Sequence, residues 1–142
     1  MQVREIMTKN VEAIQTGSTI KEAAEKMKRF DVGAMPVFDD GEAVGILTDR
    51  DITIRAVAEG HDPTRMSVKE VMTKEVIFCR EDESVEYAAD LMKQKQVRRL
   101  LIKDSQGKVV GILSLGDIAT RVEKEQAGET IRQVSHPSEP NR

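Results

Sequence analysis

Tryptophan is absent from this sequence of 142 residues, and aromatic residues of any kind make up only 3% of it. One cysteine, Cys79, excludes an intramolecular disulfide, and its apolar neighbours Ile77 and Phe78 favour a buried structural thiol over a reactive one. The two histidines, His61 and His136, have no cysteine or paired acid at metal-ligand spacing, so no metal site is expected. Neither lies beside a serine or cysteine motif, and no glycine-rich Walker loop occurs, so the reading is of a protein that is not an enzyme. No apolar run approaches the ~20 residues that a membrane-spanning helix requires. The opening MQVREIMTKN lacks the apolar stretch of an export signal, which leads to an expectation of a soluble, cytoplasmic protein without membrane association. Positive charge is in deficit, with 22 Lys and Arg against 25 Asp and Glu. That balance argues against a nucleic-acid partner, because nonspecific affinity for phosphates needs clustered cations.

What the sequence does contain is itself, twice. VREIMTKNV (3–11) recurs as VKEVMTKEV (68–76), and GILTDRDI (45–52) recurs as GILSLGDI (111–118). Between these anchors Ala23, Ala24 and Met27 align with Ala88, Ala89 and Met92 at an offset of 65. The offset becomes 66 after DDGEAVG, whose counterpart DSQGKVVG is one residue longer, an insertion of the kind that surface loops absorb.

Each copy predicts the same elements. TIKEAAEKMKRF after Ser18 places Ile20, Ala23, Ala24 and Met27 on one helical face, with Ser18 or Thr19 as N-cap. Val85, Ala88, Ala89 and Met92 repeat that face behind Ser84. GAMPVFDDGEAVGIL and LLIKDSQGKVVGIL each read as two strands around a turn. A second helix follows each hairpin, about 49–59 in the first copy and from about 115 to 126 in the second, ahead of Gly128. The expected fold is α+β: two pseudo-symmetric repeats, each strand-helix-strand-strand-helix, packed through their sheets with related clefts between them. A lone unit of about 55–60 residues buries its apolar surface poorly, which is why the copies are expected to pair. The boundaries read as repeat 1 over 1–60, a linker over 61–67, repeat 2 over 68–126 and a polar, disordered tail over 127–142.

Two tetrads carry the chemistry. Thr48 and Asp51 bracket the start of one helix, and Ser114 and Asp117 the start of the other. One reading is a capping box, in which the hydroxyl caps the helix and the acid reaches back. The other is a binding site, because a carboxylate can accept both hydrogens of a ribose diol while the hydroxyl and helix N–H groups receive a phosphate or sugar oxygen. Arg98 and Arg99 stand where the first copy has Gly33 and Ala34. Consecutive strand residues face opposite ways, so one of the two at most would enter a given cleft. Arg98 is preferred for a phosphate, Arg99 is the second choice, and solvated surface arginines are the alternative.

Taken together, VREIMT, the helix, VGAMPV and GILTDRDI, repeated as VKEVMT, VRRLLI and GILSLGDI, resemble a tandem pair of cystathionine-β-synthase-type (CBS) domains, a Bateman module, over residues 3–123. The resemblance implies a stand-alone sensor that binds AMP, ADP, ATP, S-adenosylmethionine or a similar adenosyl ligand, with no obligatory cofactor. It also implies a homodimer that signals to an effector protein. Asp51 and Asp117 match the family's ribose-binding acid, and Thr48 and Ser114 the adjoining hydroxyl. The base is expected against Thr8, Val11, Glu12, Val32 and Gly33 in one cleft, served by Asp117, and against Thr73, Val76, Ile77 and Val97 in the other, served by Asp51. For the valines and Ile77, ordinary core packing is the competing reading. The competing function is a dimerisation scaffold with vestigial clefts.

Overall fold

A computed structural model describes residues 1–134, with side chains placed as far as Gly128. The fold is mixed α+β, and the chain forms two compact units, one of residues 10–76 and one joining residues 1–9 to the chain from Ile77 onward. The duplicated sequence and the compact unit are therefore out of step: the opening segment of each copy is part of the unit built from the body of the other.

In the unit of residues 10–76, β2 (Ile14–Gln15) runs parallel to β3 (Ala34–Asp39), which pairs antiparallel with β4 (Glu42–Thr48). The hairpin turns through Asp40 and Gly41, both at positive φ, the backbone that a tight two-residue connection requires. Helix α1 (Ile20–Phe30) starts at a capping box: the Glu22 N–H donates to the Thr19 hydroxyl at 3.1 Å and the Thr19 N–H to the Glu22 carboxylate at 3.4 Å. It ends where Asp31 turns left-handed and returns its N–H to the Met27 carbonyl. Ile20, Ala23 and Met27 face the sheet and pack with Met35, Val37 and Leu47. Val68, Val71 and Met72 complete that core from the short helix α3 (Val68–Val71).

The unit containing residues 1–9 repeats this plan. Its sheet has the order β1 (Thr8–Lys9), β7 (Val109–Ser114), β6 (Arg99–Lys103), β5 (Phe78–Arg80), with β5 parallel to β6 and the other pairs antiparallel. Helix α4 (Val85–Lys95) supplies Ala88 and Met92, which meet Leu100, Ile102 and Leu113 from the sheet and Val3 and Met7 from the opening segment. Cys79 is buried in the same cluster, and burial pushes its thiol pKa up.

Three details depart from the sequence reading. The opening segments are not simply strands: residues Val3–Glu5 form a 3-10 turn and Val68–Val71 an α-helical turn before the chain extends. Their apolar residues fall at i, i+3 and i+4 (Val68, Val71, Met72), which is helical spacing, and Ser67 with Glu70 forms a further capping box. The helix expected over about 49–59 is α-helical only over α2 (Asp49–Asp51) and continues as a π-helix over Ile52–Val57. Helix α5 spans Leu115–Val134, running through Gly128, because an internal glycine costs only about 1 kcal/mol relative to alanine and the stretch from Leu115 to Val134 contains no proline. Of the tail expected over 127–142, residues 135–142 lie outside the described residues.

Candidate functional site

The strand-to-helix junctions at Thr48 and Ser114 are built alike. At the first, the Asp51 N–H donates to the Thr48 hydroxyl at 3.1 Å and the Thr48 N–H donates to Asp51 Oδ2 at 3.0 Å. At the second, the Asp117 N–H donates to the Ser114 hydroxyl at 3.0 Å and the Ser114 N–H to Asp117 Oδ2 at 2.9 Å. The capping reading of both tetrads is thus realised. Capping and binding are compatible, since a carboxylate offers about four lone-pair positions and the backbone N–H occupies one. The box holds each acid in a fixed rotamer, which is the preorganisation a ligand-binding carboxylate needs.

A second backbone bond repeats across the copies. The Asp49 N–H donates to the Gly33 carbonyl at 2.9 Å, and the Leu115 N–H to the Arg98 carbonyl at 2.8 Å. Gly33 and Arg98 are therefore structural equivalents, each tying the start of a hairpin to the start of a helix. At Gly33 a Cβ would stand 3.1 Å from Asp49 Oδ2, so glycine there admits a close approach. Arg98 is exposed and precedes β6, whereas Arg99 is its first residue, half-buried and opposite Ser114 in the register.

The two acids differ in their surroundings. Asp51 and Thr48 are the buried polar residues of the described chain, 9% and 8% exposed. The Thr73 hydroxyl lies 3.3 Å from each Asp51 carboxylate oxygen, so the pairing of Thr73 with Asp51 expected from the sequence is present within one unit. Thr8 and Asp117 belong to one unit as well, with Thr8 exposed in β1 opposite Ile112. Asp117 is half-buried and lines a cavity of about 290 Å³ with Glu5, Ile6, Thr120, Arg121 and Lys124. A larger open groove of about 820 Å³ runs along α1 past Ile14, Glu22, Lys26 and Phe30 and contains none of the expected site residues. Its walls combine charged side chains of α1 with Phe30 and with Ile14 and Gln15 of β2.

The remaining candidates divide between the units. Val11, Glu12 and Val32 are half-buried in the unit of Asp51, where Val32 packs against the core, and Val76 is half-buried near its end. Ile77 and Val97 pack against the core of the other unit. Arg55, Arg121 and Lys124 were missed by the sequence reading. The signal was available, since Arg55 and Arg121 sit at the same offset of 66 as the two aspartates.

A sequence model of the CBS domain matches twice, over residues 3–57 and 68–124. Among curated proteins, the CBS domain-containing protein YhcV of Bacillus subtilis is 43% identical over 135 residues, 94% of this chain and 95% of that protein. Hypoxic response protein 1 of Mycobacterium tuberculosis is 30% identical over 94% of each chain. Among solved structures, the CBS domain pair of protein MJ0100, in complex with 5′-methylthioadenosine and S-adenosyl-L-methionine, superposes with a TM-score of 0.75 at 28% identity, covering 88% of this chain and 98% of that one.

Proposed function

The chain belongs to the CBS-domain family, and from that premise we propose that it is a non-enzymatic sensor that binds an adenosine-type ligand through the carboxylates of Asp51 and Asp117. CBS pairs are regulatory modules. The observation that carries the proposal is the pair of carboxylates fixed by matching helix caps, each Oδ2 accepting the N–H of its own cap residue. The adenosyl compounds bound by the MJ0100 pair support the choice of ligand class. A ligand of this kind acts as a signal only if it binds one conformation better than another, and an effector protein would read the difference.

A panel of AMP, ADP, ATP, NAD, S-adenosylmethionine and diadenosine phosphates, followed by thermal shift and calorimetry, tests this reading. At a hundredfold excess over its dissociation constant a ligand adds about 2.7 kcal/mol, or roughly 5–11 °C for a chain of this size. The response is expected to disappear in Asp117→Ala and Asp51→Ala together. Silence across the panel would leave the second reading, a dimerisation scaffold. That reading is favoured by the exposed Tyr87 of α4 and the exposed Leu115 and Val122 of α5. Sedimentation equilibrium of wild type and Tyr87→Ser separates the two, since a scaffold loses self-association while a ligand response is indifferent to that change.

A further inference from the structure

The duplicated sequence supplies its own comparison, because the motif running from the hydroxyl through the aspartate to an arginine occurs twice and the two arginines do different things. Arg55 Nη1 donates to the Val71 and Met72 carbonyls, both at 3.1 Å. These are the two carbonyls immediately before Thr73 in the opening segment that brings it to Asp51. Arg121, its counterpart, pairs instead with Glu125 at 3.3 Å. Among the described residues no side chain donates to the Ile6 or Met7 carbonyl, and the 290 Å³ cavity stands beside that segment. The helix behind Asp51 is π-helical over Ile52–Val57, and the helix behind Asp117 is α-helical throughout, so the latched copy is also the one with the unusual helical register.

We propose that Arg55 is a positioning residue that makes the two carboxylate sites unequal: it holds Thr73 against Asp51 and so pre-occupies that acid, leaving Asp117 to take a ligand diol first. The site order rests on the function proposed above; the latch does not. At Asp51 an incoming diol must displace the Thr73 hydroxyl from both carboxylate oxygens. At Asp117 it meets an acid that already opens on a cavity. A guanidinium spanning two carbonyls is suited to the latch, since one nitrogen bears more than one donor and the fork is rigid.

Two measurements on the full chain test the proposal. The first needs no ligand: the Thr73 and Ile46 amides, which bond each other's carbonyls at 2.9 and 3.0 Å, report the seating of the opening segment by hydrogen exchange. Arg55→Ala is expected to speed their exchange about threefold or more, Arg55→Lys to a smaller extent, and Arg121→Ala to leave the Thr8 and Ile112 amides as they are. Unchanged exchange in Arg55→Ala, or an equal effect in Arg121→Ala, overturns the latch. The second is titration with AMP and with S-adenosylmethionine. The tighter site is expected to vanish in Asp117→Ala, and Arg55→Ala is expected to tighten the weaker site about threefold or more. A merely structural arginine would lower the melting temperature without changing the ratio of the two affinities, which would refute the positioning role. Absence of binding by every variant overturns the nucleotide reading and the site order with it, while exchange still decides the latch.

Discussion

Gly111 is where a single methyl group tests how the opening segment is seated. A Cβ at Gly111 would stand 2.7 Å from Met7 Sδ and 2.8 Å from the Thr8 carbonyl oxygen, against an ordinary contact of 3.4–4 Å. The thioether can swing away, but the carbonyl belongs to a strand in register with β7, so the backbone itself must retreat by several tenths of an ångström. Overpacking of this kind costs about 1–3 kcal/mol. Alanine returns roughly 0.4–1 kcal/mol by restricting the unfolded chain. The net loss for Gly111→Ala is then about 1–2 kcal/mol, or roughly 2–8 °C in melting temperature for a chain of this length. Gly17→Ala is the control, because its Cβ meets nothing within 4 Å. Urea denaturation of the two variants reads the difference directly. Since the backbone carbonyl is the obstacle, Met7→Ala in the same chain is not expected to relieve Gly111→Ala. Equal stability of Gly111→Ala and Gly17→Ala, within about 0.5 kcal/mol, would refute the close approach.

Cys79 is expected to resist a thiol reagent at neutral pH and to react only as its unit opens, with labelling tracking unfolding. Burial holds its folded pKa above the ordinary value, so its contribution to stability is present below the unfolded thiol's pKa and is lost as pH rises through the folded one; a denaturation series into alkali compared with Cys79→Ala checks the sign. Glu70 is held below the ordinary carboxylate value by hydrogen bonds from the Ser67 backbone and hydroxyl. Its stabilisation is therefore present above the unfolded carboxylate's pKa and fades as pH falls through the folded value, so wild type and Glu70→Gln should converge in acid. Leu100→Ala, at a fully buried position of β6, should cost about 2–5 kcal/mol by denaturation, and a loss below about 1 kcal/mol would contradict the packed core.

The elements that were legible in the sequence are those whose period and punctuation agree. Helix α1 announced itself through Ser18 or Thr19 as its cap and the Ile20, Ala23, Met27 face, and the hairpins through Asp40-Gly41 and the one-residue difference between their loops. The opening segments were misjudged because six residues fit either period, and a two-residue capping signal such as Ser67 with Glu70 looks like ordinary surface polarity until the helix is present. The π-helix left no mark, since four of its six residues, ITIRAV, are β-branched and the stretch would be read as a weak α-helix or a strand. At the site, Asp51 and Asp117 were visible because the motif repeats. The difference between them was not, because it depends on which carbonyls two identical arginines reach, and that is a property of backbone path.

Why the family module comes as two copies follows from the same path. A sequence copy spans 3–57 or 68–124, whereas a compact unit spans 10–76 or combines 1–9 with the chain from 77. Cutting at the sequence boundary removes Val68, Val71 and Met72 from the core of the first body, three side chains at most 6% exposed. Each is worth about 1.5–3 kcal/mol on burial, which together rivals the whole stability of a domain this small. The cut also removes the backbone partners of Ile46, and with them the residue that meets Asp51. The second body loses Val3 and Met7 in the same way. Exchange of the opening segments thus makes each copy's core, and in the first copy the Thr73 hydroxyl that meets Asp51, depend on residues encoded in the other copy.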